Sequence, residues 1–143
     1  MSTILAHIVV RAGKEDEFES LAVTMHAASH ADEERLRAYG YWRAAEPRHY
    51  YSLLAFDDYL GFMAHQTSEH HETAGPSLRD CIEAITLEFV DPIEGASKLA
   101  PSNPQALPAD ASPLMKRYAS RIPATVADWW VERRAARRSA ARG

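Results

Sequence analysis

The segment Thr3–Arg11 constrains this chain more than any other. Read as an extended strand, it sets Ile4, Ala6, Ile8 and Val10 on one face and Leu5 and Val9, with His7, on the other. A strand apolar on both faces of a small domain implies a packed layer on each side.

The elements that follow supply a frame for it. Ala12-Gly13 makes a turn, and Lys14–His30 carries Phe18, Leu21, Ala22, Met25 and Ser29 at helical spacing. Glu15, Asp16, Glu17 and Glu19 fill its first turns, where the helix dipole favours negative charge. After the polar connection Asp32-Glu33-Glu34, a strand over Leu36–Ala44 alternates Tyr39 and Tyr41 against Gly40 and Trp42. Ala45-Glu46-Pro47-Arg48 fits a hairpin loop, and His49–Phe56 returns antiparallel. Asp57-Asp58 caps a short helix bearing Tyr59, Leu60, Phe62 and Met63, and Ser68 caps another. Gly75-Pro76 is expected to break that helix, with a last short turn starting at Ser77. Ile82–Val90 alternates again and ends at Asp91-Pro92.

The order is β-α-β-β-α-β, an α+β chain of the ferredoxin-like, split βαβ kind. It predicts an antiparallel four-stranded sheet with helices on one face. The other face would be left wet in a lone chain, and a homodimer that closes two such faces together is the expected remedy.

Residues 1–95 make this unit. Residues 96–113 read as an extended connector, with Pro101, Pro104, Pro108 and Pro113 among small polar residues. Residues 114–143 read as a helical extension: Leu114, Met115 and Tyr118 form one patch. Ile122, Val126, Trp129 and Trp130 then lie at i, i+4, i+7, i+8, with Pro123 in the first turn. So apolar an extension is expected to pack on the body or embrace a partner copy. Charge agrees, since residues 1–95 hold 7 Lys and Arg against 17 Asp and Glu, whereas residues 96–143 hold 9 against 3. The arginines 133, 134, 137, 138 and 142 crowd the last turns of a helix, where they complement its dipole, so no nucleic-acid partner is expected. No apolar run reaches the roughly 20 residues that span a bilayer, so no membrane partner is expected either. The start Met1-Ser2-Thr3-Ile4 has no signal-peptide layout, and the single cysteine, Cys81, permits no intrachain disulfide. A cytoplasmic location is the expectation.

Chemistry concentrates in His65-Gln66-Thr67-Ser68-Glu69-His70-His71, three histidines within seven residues. Histidine is the side chain whose ordinary titration falls nearest neutral pH. Adjacent helix residues face about 100° apart, so His70 is read as the inward one and His71 as solvated. His65 and Glu69 are four apart but straddle the Ser68 cap, and neither an HExxH motif nor paired cysteines occur, so no metal centre is expected. There is likewise no GxGxxG, P-loop or GxSxG pattern. His7 reads as a core or barrel histidine and Cys81 as a small core residue.

A β-α-β-β-α-β chain with Gly13 after its first strand and Ala64-His65, Ser68 and His70-His71 after its third resembles the antibiotic biosynthesis monooxygenase family. The resemblance spans about residues 3–95. It implies a small dimeric α/β barrel with a pocket between helices and sheet. The family includes cofactor-independent quinol and anthrone oxygenases, a haem-degrading branch and isomerase-like members. Two family features are replaced here: Glu-Pro-Gly before the second strand by Glu33-Glu34-Arg35, and Glu-x-Trp at the end of the third by Leu54-Ala55-Phe56. The Asn, Trp and His of the haem-degrading branch fall on Ala6, His65 and Ala74, so that activity is not expected.

The resemblance thus implies a cofactor-independent monooxygenase acting on a small aromatic quinol, anthrone or polyketide-like phenol. Such an enzyme lets the deprotonated substrate reduce O₂ directly. It needs a base, hydrogen-bond donors for the oxyanion and a dry pocket. His65 is the expected base, with His70 beside it. Trp42 and Tyr51 are candidates to stack on the substrate, and Tyr39 and Tyr41 to donate to its oxygens. The alternatives are a non-catalytic dimer that binds a small molecule, and an isomerase or lyase of an oxygenated small molecule.

Overall fold

The computed structural model describes residues 1–143. β1 (Ser2–Val10), α1 (Glu15–Asp32), β2 (Leu36–Arg43), β3 (His49–Phe56), α2 (Tyr59–Gln66), α3 (Glu69–Cys81) and β4 (Ile82–Val90) follow the expected order; α4 (Pro113–Arg121) and α5 (Asp128–Arg142) complete the chain. The sheet runs β2-β3-β1-β4 with every neighbouring pair antiparallel, so the doubly apolar β1 sits inside it. This is the ferredoxin-like α+β arrangement.

The two faces of β1 meet different fates. Ile4, Ala6, Ile8 and Val10 are buried under the helices, with Phe18 and Met25 of α1 and Phe62 and Met63 of α2. On the other face, Leu5, His7 and Val9 stay partly exposed, and no helix covers the middle of the sheet there. His7 is therefore not a core residue of the single chain. Its Nε2 stands 3.3 Å from Glu88 Oε2 and its ring meets Tyr51 edge-on, both on the open face.

Local signals set the helix starts. The Asp58 carboxylate accepts from Gly61 N to open α2, and Ser68 Oγ accepts from His71 N to open α3. Gly13, at φ 85°, makes the turn out of β1 in a conformation that glycine adopts without steric cost.

Two expected helix limits fail. α3 does not break at Gly75-Pro76 but continues to Cys81 with Pro76 inside it. A proline removes one backbone hydrogen bond, at a cost of about 3 kcal/mol. Packing on α1 and the full burial of Cys81 hold the helix together across the gap. The last helix also begins at Asp128, not at Pro123. Residues 123–127 are not helical, so Ile122 and Val126 do not share a helix with Trp129. The Ile122 carbonyl turns away to accept the Tyr59 hydroxyl at 2.5 Å.

α4 packs on α2, where Leu107, Met115, Tyr118 and Ile122 extend the cluster built on Tyr59, Phe62 and Phe56. α5 is tied on by Arg134, whose guanidinium donates to Asp91 and to the Ser102 carbonyl. Trp129 remains 64% exposed. No helix is long and apolar enough to cross a membrane.

Candidate active site

The histidines after β3 converge with a residue that the sequence placed in a loop. His65 comes from the last turn of α2 and His70 from the first turn of α3. Glu33 closes α1, its backbone N–H still donating to the Ser29 carbonyl. Its carboxylate lies 3.0 and 3.1 Å from His65 Nδ1, and its Oε2 lies 2.9 Å from His70 Nε2. Ser29 Oγ, one turn back on α1, is 3.1 Å from His70 Nε2 and 3.4 Å from His65 Nδ1. The Glu33 and His65 side chains are 10% and 3% exposed, so these bonds are shielded from water.

Burial alone would push the Glu33 carboxyl upward. The hydrogen bond and charge of His65, with Ser29 and His70, outweigh it and hold Glu33 below the usual carboxylate range. The carboxylate is therefore ionised and accepts from both imidazoles. Accepting the proton on His65 Nδ1 fixes one tautomer, with the lone pair left on Nε2. A carboxylate orients the histidine of a hydrolase triad in this way.

His65 also lines a partly open cavity of about 120 Å³ between the helices and the inner sheet face. Phe18, Met25, Tyr39, Tyr41, Phe62 and His71 are among its other walls. The Tyr39 ring stands edge-on to His65, centroids 5.4 Å apart, and its hydroxyl is 2.6 Å from that of Tyr41. Burial pushes both phenols above their ordinary range, so they stay protonated and able to donate.

His71 departs from expectation. It also points inward, its ring 5.3 Å from His65 and packed edge-on against Tyr118 of α4. Burial, then repulsion from His65, lowers it to about 4, and its buried Nδ1 has no hydrogen-bond partner. His70 and His71 both find cover because α3 is flanked on one side by the end of α1 and on the other by α4.

The four aromatic candidates divide. Tyr39 and Tyr41 line the cavity and also an outer groove of about 860 Å³ between α1 and β2, so they form the wall between the two. Trp42 reaches the rim of that groove and packs against Gly40, where an added Cβ would stand 2.9 Å from the indole. Tyr51 pairs across the strands with Trp42 and meets the His7 ring edge-on, which puts it on the open sheet face, away from the cavity. Glu33 was missed from the sequence, although a signal was present. The buried stripe Phe18, Ala22, Met25, Ser29 reaches Glu33 at its next i+4 step.

A sequence model of the antibiotic biosynthesis monooxygenase family matches residues 1–76, more than half of the chain, and the protein belongs to that family. Solved structures agree on the fold. A candidate antibiotic biosynthesis monooxygenase from Caulobacter crescentus CB15 is 22% identical, with 65% of this chain and 90% of that one covered at a TM-score of 0.62. PA3566 from Pseudomonas aeruginosa is 16% identical, covering 64% and 93% at 0.60. Rv0793 from Mycobacterium tuberculosis is 14% identical, covering 67% and 98% at 0.61. No curated protein matches the sequence.

Proposed function

We propose that the protein is a cofactor-independent monooxygenase of a small phenolic or quinolic substrate, with His65 as the base. One observation carries this reading: the Glu33 carboxylate holds His65 Nδ1 at 3.0 Å beside an apolar cavity that contains two phenol donors. His65 Nε2 takes a proton from the bound substrate. The resulting anion gives one electron to O₂, and the carbon radical and superoxide combine to a peroxide anion, which takes the proton back from the His65 imidazolium. Loss of water from that hydroperoxide, with the remaining hydrogen of the same carbon, leaves a carbonyl on the substrate and His65 neutral. The imidazolium formed in the first step is stabilised by Glu33, and Tyr39 and Tyr41 donate to the oxyanion.

Cavity size narrows the substrate class. A 150 Å³ apolar cavity in another protein holds benzene. About 120 Å³ here matches a single ring and is too small for a three-ring anthrone, so single-ring quinols and phenols are favoured. A larger substrate has to displace the Tyr39–Tyr41 wall into the outer groove.

The functional unit in this reading is a homodimer. Leu5, Val9 and Leu53, with Trp42 and Tyr51 at 55% and 39% exposure, give the open sheet face an apolar surface that a second copy would cover.

The test is oxygen uptake by chelator-treated protein across a panel of single-ring and multi-ring quinols. Uptake with single-ring substrates that disappears in a folded His65→Ala variant is the expected result. Turnover that persists under argon would move the assignment to an isomerase, and no turnover with any substrate would leave a ligand-binding dimer.

A further inference from the structure

We propose that Glu33, His65 and His70, with Ser29 Oγ beside them, form a binding site for a divalent first-row transition metal ion. The inference rests on the side-chain cluster alone, and an ion bound there would compete with the use of His65 as a base.

Two imidazole nitrogens and a carboxylate from three different elements lie within 4.8 Å of one another. Zinc and its neighbours bind such N and O ligands at about 2.0–2.2 Å, which sets adjacent ligand atoms roughly 3 Å apart. The nitrogen-to-carboxylate distances, 3.0 Å from His65 Nδ1 and 2.9 Å from His70 Nε2, already match that spacing. Small side-chain rotations bring the two nitrogens onto one ion. Two histidines and one carboxylate leave the remaining positions open, the arrangement suited to Fe(II), Co(II) or Zn(II) rather than to Ca²⁺ or Mg²⁺, which favour oxygen.

The cluster also has a route from solvent. Glu33 and His70 line an open surface cleft of about 440 Å³ whose other walls include Asp32, Glu34 and Glu69, with Arg35 as the one cationic residue. That acidic rim raises the local concentration of cations. Among three histidines in this region, His71 is excluded from the set, since its free nitrogen is buried away from the carboxylate.

An ion on His65 Nδ1 would keep the imidazole proton on Nε2. The loaded site could not accept a proton there, so metal occupancy and a His65 base exclude each other.

Cobalt(II) titration of the chelator-treated full chain tests the site directly. Visible ligand-field bands should saturate at one equivalent per chain, and Zn(II) should abolish them. They should be lost in His70→Ala and kept in His26→Ala. The second variant matters because His26 and His30 form an i, i+4 pair on α1 with ring centroids 4.1 Å apart, a surface alternative for the same ion. Absence of bands at one equivalent, bands unchanged in His70→Ala, or bands lost in His26→Ala would each overturn the proposal. Paramagnetic broadening of histidine ring protons by Co(II) identifies the ligands in the unaltered protein, without a variant. Broadening centred on His65 and His70 supports the site, and broadening centred on His26 and His30 overturns it.

Discussion

Glu33 Oε1 accepts from His65 Nδ1 at 3.0 Å across 32 residues of sequence, and this contact ties the end of α1 to the end of α2. The pair sits where the buried stripe of α1 stops being apolar. Ser29 and Glu33 are the polar end of a packed helix face, and they meet the polar end of α2. An ionised carboxylate in so shielded a position needs donors, and His65 and His70 supply them.

Replacing Glu33 by Gln tests whether the carboxylate supports the base. The amide keeps the shape but loses the charge that stabilises the His65 imidazolium, and it can hold the wrong tautomer. Quinol-dependent oxygen uptake by chelator-treated protein should fall roughly 10- to 1000-fold in kcat, with KM little changed. Circular dichroism should show the fold retained. Unchanged kcat in Glu33→Gln would leave His65 without its partner and remove the dyad.

The open sheet face makes its own prediction. Trp42→Asp puts a charge on the surface proposed to close the homodimer, and desolvating that charge opposes association. By light scattering, the native protein should run at twice the 16.0 kDa chain and the variant at that single-chain mass. Because Trp42 is 55% exposed in the single chain, the variant should fold normally. A native protein that is monomeric at micromolar concentration would overturn the dimer.

The sequence disclosed what local chemistry controls. β3 and β4 begin and end where alternation and flanking residues place them, and Asp58 and Ser68 cap as their side chains dictate. It concealed what depends on contact between distant elements. Glu33 looked like loop polarity because its partners lie more than thirty residues away. His71 looked solvated because α4, whose Tyr118 covers it, is separated from it by a long connector. Pro76 looked like a helix stop because tertiary packing that outweighs one lost hydrogen bond leaves no local trace. Tyr51 looked like a pocket residue because the strand pattern does not say which face the helices cover.

His71 gives a pH dependence whose sign follows from its environment. Folding lowers it from 6.5 to about 4, through burial first and His65 second; Glu72 and Glu33 pull the other way, while His70 adds to the repulsion. The unfolded chain therefore binds an extra proton between those two values. Stability should be full above about pH 6.5 and fall as the pH drops toward 4, by up to about 3 kcal/mol from this group. His71→Phe removes that proton and also the unpartnered Nδ1. In urea unfolding of chelator-treated protein, the variant should be about as stable as the native chain at pH 7 and relatively more stable at pH 4.5. A gap between the two that does not move with pH would show that His71 is not the group responsible.

The C-terminal arm is part of the structure that shapes the site, and cutting it off should show this. Removing residues 96–143 uncovers Tyr59 and Phe62, takes away the Leu107, Met115 and Ile122 contacts, and leaves Asp91 without Arg134. It also removes Tyr118 from against His71, opening one wall behind His65 to water. Area burial at about 25 cal/mol per Å² and the loss of a charge-assisted bidentate pair together predict a cost of roughly 2 kcal/mol or more. Scanning calorimetry should record a Tm lower by about 5 °C or more in a domain of this size. The stability loss tests the packing, and the activity of the truncated chain tests the wall. If the arm only braces the fold, kcat at a temperature well below Tm should equal that of the full chain; if Tyr118 keeps the pocket dry, kcat should drop while the shortened protein remains folded. An unchanged Tm would refute the bracing role, and an unchanged kcat the role of Tyr118 as a wall.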